Sequence, residues 1–356
     1  MILQIEETYT SAYKKVIKLP DNIFQDAKVE TIIFELQKDS QNQFVEVINY
    51  QKSEIISFID NNKIFLLNKK DWISSETFSL YNTSSINTVV SKIEKRNIVK
   101  LKDIADFTLG ITPYDKYKGH DEETIKNRTF HSKVKINENY KPLITGENIH
   151  RYIIDPSCNE FINYGEWLGA KREERFFTEP RILIRQIVSG NPLRLYCAYT
   201  EESLYYTQIG FGVISKSTKK FENKYLLAIL NSSLINFYHK YKFLDIEKQL
   251  FQKVLIANAK SFPIKNIPIR NQTKFSEKVD SIITLTKGLF DHSQKFQRTI
   301  QRKFNLDDLP KKLQDWYKLP YGEVIKELAK KKVKLSLAEE AEWEEYFLTE
   351  QKRRWS

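Results

Sequence analysis

Two hydrophobic periods divide the chain. Near the start, Val16-Ile17-Lys18-Leu19 and the apolar run 29–36 are rich in β-branched and aromatic residues and flank Pro20-Asp21-Asn22. This pattern predicts two strands joined by a short connection that carries Ile23 and Phe24. Residues 44–48 and 64–67 read as further strands, and 84–96 as a short helix. In the middle, Leu109-Gly110-Ile111-Thr112-Pro113-Tyr114 imposes a turn, and short strand-like runs follow at 143–144, 152–154, 181–185 and 211–214. Between 223 and 241 the spacing changes. Tyr225, Leu226, Ile229, Leu230, Leu234, Phe237 and Tyr238 recur at helical intervals, which predicts one helix with a packed side. Phe275, Val279, Ile282, Leu289, Phe296 and Ile300 then mark a long helix whose seam is interrupted by Thr286 and Ser293. Ser336 with Glu339 three residues later forms a capping box that predicts a second helix start.

Composition narrows the function classes. The 356 residues are 41% hydrophobic and 13% aromatic, with a mean hydropathy of −0.51, so a real core and a polar surface are both expected. No stretch approaches the roughly 20 apolar residues of a membrane span, and Met1-Ile2-Leu3-Gln4-Ile5-Glu6-Glu7 lacks signal-peptide features. A cytoplasmic location is the expectation. Cys158 and Cys197 offer neither a disulfide framework nor a CxxC spacing. Charge is unevenly spread. Residues 1–95 carry 11 Lys+Arg against 13 Asp+Glu, residues 96–270 carry 28 against 19, and residues 271–356 carry 18 against 14. A basic middle segment rich in Tyr, Phe and Asn suits a polyanionic partner.

Groups able to perform a reaction are sparse. His120, His131, His150, His239 and His292 show no HExxH or His-x-His spacing, so no metal is expected. There is no GxSxG and no Walker A loop, and Gly210-Phe211-Gly212 is only a GxG fragment. The nearest approach to a nuclease constellation is Pro20-Asp21 with the distant Glu222-Asn223-Lys224, a weak basis for magnesium chemistry.

The run from Val16 to Lys38 resembles the last hairpin of the adenine-specific methyltransferase domain in TaqI-like and type IIG restriction-modification enzymes. The middle segment resembles the TaqI-like target-recognition domain. Its marks are Leu109 to Tyr114, Tyr140-Lys141-Pro142-Leu143-Ile144-Thr145-Gly146-Glu147-Asn148-Ile149, Arg151-Tyr152, Pro180 to Arg185, and Tyr225 to Ser232. The tail from Leu319 through Trp343 is similar to the segment that follows that domain in type IIG enzymes. The resemblance implies an α+β (mixed) fold: a terminal β-hairpin piece of a methyltransferase α/β sheet in 1–95, a mixed α/β target-recognition domain in 96–270, and a helical spacer and tail in 271–356.

The same resemblance implies double-stranded DNA as partner, with Lys116, Lys118, Lys141, Arg151, Lys171, Arg172, Arg181, Arg185, Lys216 and Lys219 as candidate contacts. Arg151 and Arg185 stand out because each adjoins a strand-like run that could aim its guanidinium fork. It also implies that Phe24 stacks on an adenine flipped out of the duplex; a plain core role is the alternative. The Gly-rich loop for S-adenosylmethionine and the Asn-Pro-Pro-aromatic loop are missing, and Asn191-Pro192-Leu193-Arg194 is the only approach to the latter. The expectation is therefore the recognition portion of a larger enzyme, with no cofactor in this chain and a separate N-terminal methyltransferase/endonuclease polypeptide as a possible partner. A non-catalytic interaction or anti-restriction protein is the alternative.

Overall fold

The computed structural model describes residues 13–24, 26–27, 29, 31–38, 42–51, 54–69, 84–95, 97–190, 192–244 and 252–353. Met1 to Glu7, Gln25, Lys28, Glu30, Arg96, Asn191 and the final Trp355-Ser356 lie outside these residues. The chain divides into two compact units, Met1–Ser276 and Glu277–Ser356.

The first unit opens with a sheet of β1 (Tyr13–Lys18), β2 (Ile32–Leu36), β3 (Phe44–Asn49) and β4 (Phe65–Asn68), in the order β2-β1-β3-β4. The expected hairpin is present. β1 and β2 are antiparallel with Val16 opposite Phe34, and β1 runs parallel to β3 with Val16 opposite Val47. Adjacent Val16 and Ile17, and adjacent Val47 and Ile48, are all buried, because both inner strands are covered on both faces. The covering differs by face: Val16 and Val47 pack with Tyr13, Val45 and Leu67, and Ile17 and Ile48 pack with Tyr50. The outer strand β2 leaves Ile33, Phe34 and Leu36 exposed.

Helix α1 (Ser84–Lys95) links this sheet to the middle region. Its Glu94 accepts hydrogen bonds from the Tyr238 hydroxyl (2.6 Å) and from Lys242. The middle region is closed by a two-stranded ribbon in which β5 (Ile98–Lys100) meets the last strand, Pro263–Lys265, antiparallel. Between them lie β6 (Ala105–Leu109), β7 (His131–Ser132), β8 (Tyr140–Ile144), β9 (Phe161–Asn163), β10 (Arg181–Arg185), β11 (Cys197–Thr200), β12 (Tyr205–Tyr206) and β13 (Gly210–Ser215). They form two four-stranded sheets, β11-β10-β13-β6 and β12-β8-β9-β7. Ile111, Leu143, Ile144, Phe177, Leu183, Tyr205 and Tyr206 share one core cluster that draws on strands of both.

Two expectations need correction. The periodic run 223–241 is two helices, α2 (Asn223–Leu230) and α3 (Ser233–Phe243). Asn231 ends α2 because its buried side chain is held by the Cys197 backbone, accepting from the Cys197 N–H (3.3 Å) and donating to its carbonyl (2.9 Å). Ser232 then caps α3 by accepting from the Ile235 N–H at 3.2 Å. Residues 152–154 form isolated bridges rather than a strand, since Tyr152 has a φ of 74° that interrupts extended backbone.

Helix α4 (Ile269–Phe304) crosses from the first unit into the second, which continues with α5 (Tyr321–Lys330) and α6 (Leu337–Arg353). Phe296, Ile300, Leu313, Trp316, Val324, Leu328 and Phe347 form the second unit's core, with Phe296 stacked on Trp316 at 3.8 Å. The polar interruption at Ser293 has a partner: its hydroxyl accepts from the Trp316 indole N–H at 3.2 Å. The capping box at Ser336 and Glu339 forms as expected, with both reciprocal backbone bonds made. Among the described residues, no helix is long and apolar enough to cross a membrane.

Candidate nucleic-acid interface

Strand direction decides which loops meet. β6 and β10 each run antiparallel to β13, with Leu109 opposite Phe211 and Arg185 opposite Gly210. β12 runs parallel to β8, with Tyr206 opposite Ile144. The loops after β6 (110–114), β8 (145–149), β10 (186–190) and β12 (207–209) therefore leave from one end of the two sheets. Backbone bonds tie them together: the Ile111 N–H donates to the Tyr206 carbonyl (2.9 Å), and the Gln186 N–H donates to the Ile209 carbonyl (2.9 Å). Gly110 permits the closest approach, since a Cβ there would fall 1.8 Å from the Thr207 carbonyl oxygen.

This end is polar and held in shape. Thr145-Gly146-Glu147-Asn148 is a tight turn in which the Asn148 side-chain oxygen accepts from the Thr145 N–H at 2.8 Å. Arg185 lies half-buried beside it. Its guanidinium stacks over Tyr196 at 3.9 Å, donates to the Ile187 carbonyl (3.1 Å) and donates to the Ser189 hydroxyl. Burial pulls its pKa down from the usual value, and it remains a cation at neutral pH. The exposed Gln208 donates to the Thr112 hydroxyl at 2.9 Å, joining two of the four loops. Burial lowers the pKa of His150, which Asp155 opposes and Arg185 reinforces. Guanidinium, amide and hydroxyl groups in a fixed frame are the donors and acceptors that base edges and phosphates engage.

The ten cations expected to contact DNA do not share one surface. Lys116 and Lys118 lie in a turn just after the 110–114 loop, and the loop's Thr112 exchanges backbone bonds with Ala170, next to Lys171 and Arg172. Lys171 pairs with Glu166 at 2.8 Å, and Arg172 reaches the Gly110 carbonyl at 3.4 Å from a backbone with φ of 68°. Lys141 is half-buried at the far end of β8. Arg181 must be corrected: it is 0% exposed, donates to the Glu179, Glu202 and Leu204 carbonyls, and has its pKa pulled down to about 10 by burial. It is a core hub. Arg151 turns inward to the Asn231 carbonyl at 2.6 Å, with its Nε buried and unpartnered. Lys216 and Lys219 follow the other end of β13, where Lys216 donates to the Lys102 carbonyl at 2.9 Å.

Sequence reasoning did not single out Thr112 and Gln208, whose side chains join two of the loops. Their signal was present, as hydrogen-bonding side chains just past strand ends, yet the convergence of those ends is a property of topology. Phe24 is 52% exposed on the β1–β2 connection, outside the core clusters of the described residues. Among the described residues, no three His, Cys, Asp or Glu side chains are grouped as a metal site.

Residues 141–264 match the model of the TaqI-like C-terminal specificity domain, and residues 268–354 match a domain of unknown function (DUF8810). A relative in Methanocaldococcus jannaschii, named "Putative type II restriction enzyme and methyltransferase RM.MjaORFECS2P", is 25% identical over 258 residues, which is 70% of this chain. The chain spans only 21% of that relative's length. Among solved structures, the type IIL restriction-modification enzyme MmeI in complex with DNA is similar at 11% identity and a TM-score of 0.43, covering 78% of this chain and 38% of that one. The type IIG restriction endonuclease BpuSI is similar at 11% identity and a TM-score of 0.38, covering 76% and 39%.

Proposed function

We propose that this chain recognises specific double-stranded DNA in the cytoplasm, as the target-recognition part of an adenine-specific restriction-modification methyltransferase of the type IIG kind. One coincidence carries the reading: the segment matching the specificity-domain model, 141–264, contains three of the four converging loops and the fixed guanidinium of Arg185. Loops on a rigid two-sheet scaffold can vary in side chain without changing the frame, which is how a specificity module takes on new sequences. Methyl transfer, in this reading, depends on S-adenosylmethionine and adenine-amine motifs supplied by a methyltransferase polypeptide or segment other than residues 1–356.

Selection from a randomised duplex pool tests the proposal. The chain is expected to enrich one sequence, with an affinity that falls steeply with salt, and to show no S-adenosylmethionine binding by calorimetry. Recovery of an unenriched pool would favour an interaction or anti-restriction protein.

Exposed Phe24 fits a stacking wall for a flipped adenine in the assembled enzyme. There, Phe24→Ala is expected to reduce methylation and 2-aminopurine fluorescence at the target base while duplex affinity is kept. Phe24→Trp is expected to retain both, and unchanged fluorescence in the Ala variant would reject the role.

A further inference from the structure

The segment beyond Thr112 ends in a tip that serves no packing purpose. Tyr117 is fully exposed in the single turn Lys116–Lys118. The turn beneath it is braced on every side. The Asp115 carboxylate accepts from the Tyr117 N–H at 2.9 Å, and Gly119, at φ 86°, closes the turn with its N–H on the Lys116 carbonyl at 3.1 Å. His120 Nδ1 accepts from the Asp115 N–H (2.9 Å), which leaves the proton on Nε2 to bond the Trp167 carbonyl at 2.8 Å. Below, Tyr114 stacks on Phe130 at 5.2 Å and shares a hydrogen bond with His131 Nδ1 at 2.8 Å.

A braced turn whose outward residue is an untouched aromatic presents a ring at low entropic cost. In 3-10 geometry successive side chains leave about 120° apart, so Lys116 and Lys118 flank the ring. Lys116 pairs with the exposed Glu122 at 2.9 Å. The turn is followed in the chain by Asp121, Glu122 and Glu123, and the ring between Lys116 and Lys118 suits a partner that alternates π-faces and phosphates.

We propose that Tyr117 is a wedge that stacks into a base-pair step of duplex DNA, partly unstacking it, while Lys116 and Lys118 meet the phosphates on either side. The proposal rests on the DNA-recognition reading and adds to it a named distorting residue. Such insertion untwists the duplex, which closed-circular plasmid records. The test relaxes plasmid with a topoisomerase in the presence of the full chain, beside duplex-binding titrations, for wild type, Tyr117→Ala, Tyr117→Trp and Lys118→Ala.

Wild type and Tyr117→Trp are expected to lower the linking number. Tyr117→Ala is expected to leave it at the protein-free value even at saturation and to bind about 5- to 100-fold more weakly, with an unchanged melting temperature. Lys118→Ala is expected to reduce the salt slope by about one. If Tyr117→Ala matches wild type in both affinity and linking number, the proposal is overturned. Wild type that binds duplex without changing the linking number overturns the wedge alone, and wild type that binds no duplex overturns the DNA reading together with it.

Discussion

Arg181 and Arg185 sit at opposite ends of one five-residue strand and illustrate how little a residue's type says about its task. Arg181 is spent inside on three carbonyls, whereas Arg185 stacks on Tyr196 at the end where the loops converge. Both were legible as cations beside a strand. Four apart in one strand, they share a face, and what separates them is what the pairing of β10 with β11 and β13 brings to each end, which a single sequence does not reveal. His239 gives the residue scale its test. It is buried among Phe243 and Phe262 with Nε2 unpartnered, and desolvation pushes its pKa from the usual 6.5 down to about 4. Because the unfolded chain takes up the proton first, the contribution is fully present above about pH 6.5 and is lost as pH falls toward 4. That window corresponds to about 3 kcal/mol. Urea melts of wild type and His239→Phe are expected to diverge by that amount between pH 7 and 4, and parallel curves would contradict the burial argument.

At the scale of elements, helices and strands were readable where one period persisted. The β1–β2 hairpin, α1 and the long α4 lie where the sequence pattern places them, and α4 keeps its interval across the polar positions Thr286 and Ser293. The break between α2 and α3 was missed, since the apolar positions keep helical spacing across Asn231 and Ser232 while the side chain of Asn231 is drawn off to β11. The serine cap at Ser232 was the available clue. The converging loops were invisible for a different reason: 110–114 and 207–209 are far apart in sequence and meet only through the register of β6 with β13. Gly110 is the point of that meeting. Gly110→Ala places a Cβ where the Thr207 backbone stands, so the two loops must separate. The expected outcome is a loss of about 1 to 3 kcal/mol of stability, faster hydrogen exchange at the Ile111 amide and weakened DNA binding. Unchanged exchange at Ile111 would show that the loops are not locked together there.

Taken as a whole, the molecule concentrates its positive excess in residues 96–270, and that excess was plain from the sequence. What the sequence left open was its distribution: Lys116, Lys118 and Arg185 belong with the converging loops, whereas Lys216 and Lys219 lie beyond the opposite end of β13. One end of the two sheets, and not basic charge in general, is therefore the surface proposed to meet DNA. Titrating the selected duplex with wild type, Arg185→Ala and the double variant Lys216→Ala/Lys219→Ala, across a range of salt, tests this most directly. Arg185→Ala is predicted to cost about 1 to 3 kcal/mol and to relax specificity at one position, while the double variant keeps wild-type affinity and salt slope. Full affinity in Arg185→Ala with a reduced slope in the double variant would place the DNA at the other end and contradict the account.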